Sequence, residues 1–162
     1  MAHSFTLPEQ SQQVTLLPPA ADAAGRTAAS AVTLKNGHKA YVIFTINGGA
    51  ASTVLCTVLQ CSDVAKTGAK AIPAVPVWSN LAEATSSTLV RQTDAVSQTT
   101  DAALTQKRIV FEIDPGKLDI ANGFKCLTVS TGASSVSNIT AAEIIVMPLR
   151  HDALGAPNLL AN

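Results

Sequence analysis

Apolar residues recur at every second position along much of this chain, and Gly, Pro, Asn and Asp break the pattern at short intervals. A period of two places one face of an extended strand in a core and the other toward its surroundings. The clearest case is 107–114, where Ile109, Phe111 and Ile113 share one face while Val110 and Glu112 share the other. Residues 38–46, 53–61, 124–131 and 140–149 read as further long strands, with weaker ones at 13–17, 31–35, 77–80, 89–92 and 95–99. Asn36-Gly37 stands between two such runs and predicts a two-residue hairpin, in which both central positions take positive φ. Asn47-Gly48-Gly49, Asp114-Pro115-Gly116 and Asn122-Gly123 mark other turns, and 117–121 has room for one helical turn. Nowhere does a 3.6-residue apolar period persist over three turns, and no internal repeat is visible.

The pattern amounts to about eight short strands at the spacing of a sandwich. It predicts an all-β fold, an antiparallel β-sandwich with a jelly roll as the expected arrangement. The expected organisation is an N-terminal arm at 1–20, the sandwich at 21–149 and a C-terminal arm at 150–162. Ile109, Phe111, Ile113, Phe124, Cys126, Leu127, Val129, Ile144 and Val146 are the predicted core of the last three strands. A chain of 162 residues can bury roughly 70% of its unfolded surface, enough to fold without a metal or a disulfide.

Composition narrows the function. Hydrophobic residues are 47% but aromatics only 4%, and charged residues are 14% against roughly 25% in an average soluble protein. A weakly charged surface loses little on desolvation, which suits a protein packed against others. Lys and Arg number 11, balanced by 11 Asp and Glu, and the densest basic pair is Lys107-Arg108. That leaves no phosphate-neutralising patch, so no nucleic-acid partner is expected. Apolar runs such as 41–46 and 144–147 are far too short for a bilayer, so no membrane partner is expected. Met1-Ala2-His3-Ser4-Phe5 lacks the basic and apolar regions of a signal peptide, which predicts synthesis in a cytoplasm.

Candidate chemistry is sparse. Cys56, Cys61 and Cys126 make an odd count, and Cys56 and Cys61 would face opposite sides of one strand, as buried free thiols. His3, His38 and His151 show no metal-ligand spacing. Gly116-Lys117 follows a strand, but Phe111 stands where a phosphate loop needs its first Gly. Glu112, Asp114 and Asp119 surround one turn, where carboxylates usually cap rather than catalyse. The expectation is a non-enzyme without cofactor or metal. Trp78, between Pro76 and Asn80, is a candidate interface anchor, with packing at a sheet edge as its competing role.

Two stretches carry a family resemblance. One runs from Gly25-Arg26-Thr27 through Thr33-Leu34-Lys35-Asn36 and Lys39-Ala40-Tyr41-Val42-Ile43 to Ile46-Asn47-Gly48-Gly49. The other holds Val110-Phe111-Glu112-Ile113-Asp114-Pro115, Leu118-Asp119, Asn122-Gly123-Phe124-Lys125-Cys126, Thr131-Gly132-Ala133-Ser134 and Asn138-Ile139-Thr140-Ala141. Between them lies Thr88-Leu89-Val90-Arg91-Gln92-Thr93-Asp94-Ala95. Together they resemble small proteins encoded among the head genes of tailed phages. The resemblance implies a capsid decoration (cement) protein on the virion exterior, with the major capsid protein and further copies of itself, as a dimer or trimer, for partners. A tail or head-completion protein and a receptor- or glycan-binding module are the alternative readings. The candidate subunit contacts are Trp78 and the apolar residues of the arms: Phe5, Leu7, Leu16 and Leu17 in one, Leu154, Leu159 and Leu160 in the other. Packing of 13–17 on its own domain as an edge strand competes with that role.

Overall fold

The computed structural model describes residues 11–148 and Leu160. The alternating segments form two antiparallel sheets that face each other, so the all-β sandwich is as predicted. The first sheet runs β1 (Gln12–Ala21), β12 (Ile139–Pro148), β4 (Gly37–Asn47), β10 (Gln106–Ile113), β7 (Val77–Asn80) and β8 (Val90–Arg91). The second is built on β11 (Cys126–Thr131) and β5 (Leu55–Cys61). The short β2 (Arg26–Thr27) and β3 (Val32–Thr33) flank β11, and β6 (Lys70–Ala71) and β9 (Ser97–Thr99) flank β5. The helical turn expected at 117–121 is instead two single 3₁₀ turns, Pro115–Lys117 and Ile120–Asn122.

The core lies between the sheets. Ala40, Val42, Phe44 and Ile46 on β4, Ile109, Phe111 and Ile113 on β10, and Ile144 and Val146 on β12 are buried. They meet Cys56, Val58, Leu127 and Val129 from the second sheet. Phe44 and Phe111 touch edge to face, with ring centroids 5.9 Å apart, a favoured aromatic geometry. Cys61 and Cys126 lie directly opposite each other on the far side of the second sheet, in a small cluster with Ala31. Cys56 and Cys61 therefore do face opposite sides of β5. Phe124 departs from expectation: it precedes β11, is half-buried and packs under the Lys70 ammonium, 4.0 Å from its ring centroid.

Two local expectations change. Asn36-Gly37 does not close a hairpin. The Gly37 N–H donates to the Leu34 carbonyl at 2.9 Å, and only Asn36 has positive φ, at 61°. The turn is thus centred on Lys35-Asn36, and it carries the chain from β3 in one sheet to β4 in the other. A positive φ at the third turn residue alone defines a type II geometry, which does not fold two strands onto each other as the primed turns do. The N-terminal arm is also shorter than predicted. From Gln12 onward the chain is an edge strand on β12, with register shifts between Thr15 and Leu17 and between Leu17 and Ala20. The first shift turns both Leu16 and Leu17 into the core.

Phe111 is fully buried at the centre of the sandwich. Phe111→Ala should cost roughly 3–5 kcal/mol in urea unfolding, whereas truncating the exposed Val136 should cost under about 0.5 kcal/mol. Equal costs at the two positions would contradict this core.

Candidate functional site

The first sheet has a second apolar face. On β4, β10 and β12 the positions between the core residues are Tyr41, Ile43, Val110 and Ile145, joined by charged and small ones. Full-length pairing sets them in rows across the strands. Ile145, Tyr41 and Glu112 form one row. Glu143, Ile43, Val110, Trp78 and Arg91 form the next. Ala141, Thr45 and Arg108 form the third. A shallow groove of about 380 Å³ runs over this face between Tyr41 and Trp78, with Leu89 on its wall.

Charge surrounds the apolar centre. The Arg108 guanidinium holds Glu83 at 3.0 Å, and Lys39 pairs with Glu112. The hydrogen bond to Glu112 raises the Lys39 pKa, so its ammonium stays charged across the physiological range. Arg91 lies over Trp78, 5.7 Å from the ring centroid, and also pairs with Asp94. Trp78 is thus half-buried on the open side of β7, with a guanidinium fixing one side of its ring. An apolar centre holding Trp, Tyr and Arg inside a charged rim is the anatomy of a protein contact surface.

Among the described residues, Trp78 is the predicted contact that lies on this face. Leu16 and Leu17 pack in the core, where no neighbouring subunit can reach them, so the edge-strand role prevails at that segment. Leu160 is exposed, and Phe5, Leu7, Leu154 and Leu159 fall outside the described residues. The structure adds Tyr41, Ile43, Val110 and Ile145. Their signal in the sequence was weak: they stand between the core positions of their strands, but alternate there with charged residues such as Arg108, Glu112 and Glu143.

Among the described residues, no cluster of three His, Cys, Asp or Glu side chains could hold a metal ion. Asp114 accepts from the Gly116 N–H at 2.9 Å and caps a 3₁₀ turn, while Asp119 binds Lys70 and Asn122. The Lys70 ammonium, then the Asn122 amide, hold the Asp119 pKa low. Burial pushes the Cys61 thiol up to about 12, with a further rise from neighbouring Cys126, and drives Cys56 higher still. Thiols so placed remain protonated and are poor nucleophiles.

No family model matches the chain, and no curated protein matches it. Among solved structures, the SPBc2 prophage-derived protein YomS superposes with a TM-score of 0.47 at 11% identity, over 84% of this chain and 92% of that one. The PRD1 vertex protein gives 0.38 at 11% identity, over 86% and 96%. The N-terminal cellulose-binding domain of Cellulomonas fimi β-1,4-glucanase C gives 0.31 at 14% identity, over 85% and 76%.

The raised thiol pKa values fix the sign of a pH effect. A thiol that keeps its proton only when folded stabilises the fold fully below the ordinary value of 9.0, and that stability is lost as pH rises toward about 12. The urea midpoint should therefore fall between pH 9 and 11, and by less in a Cys56→Ala, Cys61→Ala double variant measured against its own value at pH 8. At pH 8 the native thiols should resist iodoacetamide until urea unfolds the chain. Fast labelling of the folded protein would contradict their burial.

Proposed function

We propose that this chain is a structural virion protein that decorates the capsid of a tailed phage and strengthens it by bridging major capsid subunits. The observation that carries the reading is the outer face of the first sheet, where Trp78, Tyr41, Ile43, Val110 and Ile145 share one surface. The family resemblance of residues 25–150 points the same way. A shell under internal pressure fails at its subunit joints, and a small domain spanning them adds interface that must break first. Several modest contacts act together once one is made, through effective concentration. The strand ends at Gln12 and Pro148 lie together at one corner of the sandwich, and shell contacts made there would combine with contacts on the face.

A second reading has one observation in its favour: Trp78 and Tyr41 flank an open groove, as stacking rings do in glycan-binding modules. A glycan array separates the two. Under the capsid reading it stays blank, while the purified protein saturates undecorated shells at a fixed ratio to the major capsid protein and raises their rupture temperature. Trp78→Ala, if it removes an interface anchor, should weaken shell binding by about tenfold or more. Failure of the wild-type protein to bind shells, with strong glycan hits, would replace the first reading by the second.

A further inference from the structure

We infer that the outer face of the first sheet is occupied by the same face of a second copy, in a two-fold dimer. The inference rests on reading that face as a protein contact surface, and names its partner.

The case comes from the order of residues within each strand. The outward positions on and next to the middle row are Ile145, Glu143 and Ala141 on β12, Tyr41, Ile43 and Thr45 on β4, and Glu112, Val110 and Arg108 on β10. The middle residues form a single row that continues to Trp78. Two such faces can be stacked about a two-fold axis lying in the interface along that row. Every residue on one side of the row then meets the residue on the other side of the same strand in the second copy. Ile145 meets Ala141, large against small. Tyr41 meets Thr45, again large against small, with a hydroxyl on each. Glu112 meets Arg108, opposite in charge. All three strands are complementary to themselves under one operation, which is the property an isologous interface requires.

The middle row then packs apolar residue on apolar residue, with Ile43, Val110 and Trp78 meeting their own counterparts. Sheets stacked face to face lie about 10 Å apart and cross at about 30°, which leaves room for Trp78 to lie across the axis. Arg108 and Glu112 already have partners within the chain, Glu83 and Lys39. Association would therefore join two ion pairs into a four-membered network, so neither charge becomes buried alone. Like charges meet at both ends of the row: Arg91, already paired with Asp94 within the chain, meets its own copy at one end, and at the other the exposed Glu143 does the same. Like charges facing each other oppose pairing, so Glu143 makes a prediction of its own.

The experiment is a charge exchange read by sedimentation velocity across the micromolar range, with thermal melting to confirm that each variant folds. The wild-type protein should form a dimer. Arg108→Glu and Glu112→Arg should each weaken it by about tenfold or more, since each sets like charges against each other. The double variant should dimerise more tightly than either single variant, because the exchange restores the two pairs across the interface while leaving position 108 opposed to Glu83 and position 112 opposed to Lys39 within each chain. Glu143→Gln should tighten the dimer. A wild-type protein monomeric throughout the range would overturn the inference, as would a dimer indifferent to both single substitutions or a double variant no better than the singles. Shell binding is scored separately. A monomer that still saturates shells overturns the dimer and leaves the capsid role standing, whereas a charge-sensitive dimer that ignores shells does the reverse.

Discussion

Strand β4 is shared along its whole length between β10 and β12, and the rest of the structure depends on that shared register. A slip of one residue on either side would carry Phe111 or Ile144 out of the core and bring Glu112 or Glu143 into it. Phe44 and Phe111 guard the register, because they meet across a diagonal of the β4–β10 pair, a contact that one slip removes. Lys107 sits at the last inward position of β10 and is almost wholly buried, yet its ammonium reaches the Ala103 carbonyl and lies 3.3 Å from Asp101 at the mouth of the sandwich. Gly48 makes room for it: a Cβ there would stand 3.1 Å from the ammonium and 2.9 Å from the Ala103 carbonyl oxygen. The register that seats the core thus also seats the loop at 101–105 and aligns the outer rows.

A different bond network closes the end where the second sheet returns to the first. Asn138 is fully buried, and its amide nitrogen donates to the Ser134 hydroxyl at 2.8 Å, the Ser52 hydroxyl at 3.0 Å and the Ser52 carbonyl at 3.2 Å. Its carbonyl oxygen accepts from the Ala50 N–H at 2.9 Å. One side chain so holds three loop positions against the start of β12. Asp22 is buried beside it and accepts from the Thr131 hydroxyl at 2.8 Å. A satisfied buried group such as Asn138 specifies one arrangement of loops, which apolar packing alone leaves degenerate, whereas Asp22 Oδ2 is buried without a hydrogen-bond partner among the described residues.

The long strands were legible because alternation is a local property. Residues 107–114 and 140–149 match β10 and β12 to within a residue or so at each end. The order of the strands was not legible, because most connections cross between the sheets: β1 to β2, β3 to β4, β4 to β5, β6 to β7, β8 to β9, β9 to β10, β10 to β11 and β11 to β12. Pairings such as β1 with β12 join the two ends of the domain, and no sequence window contains both partners. The register shift that buries Leu16 together with Leu17 is likewise invisible in a period-two pattern. Trp78 could be singled out because tryptophan is rare in this chain. Ile43, Val110 and Ile145 could not, because an apolar residue reads as core until the opposite face of its strand is seen to be full.

That the outer face of β4, β10 and β12 has an apolar centre bears on the low charge of the chain. An outer face left to water keeps apolar area exposed and makes the folded protein prone to stick to others. Proteins commonly prevent this by scattering charge over such a face. Here the charges stand at the rim and are largely neutralised within the chain, Lys39 by Glu112 and Arg108 by Glu83. Paired rim charges repel unrelated partners weakly, yet an approaching surface need not strip water from a lone ion to displace them. The centre of the face is therefore cheap to cover and the rim sets which partner fits. Such a surface gains most where contacts are made at high local density, because there a modest interface is repeated and effective concentration makes up for its small area.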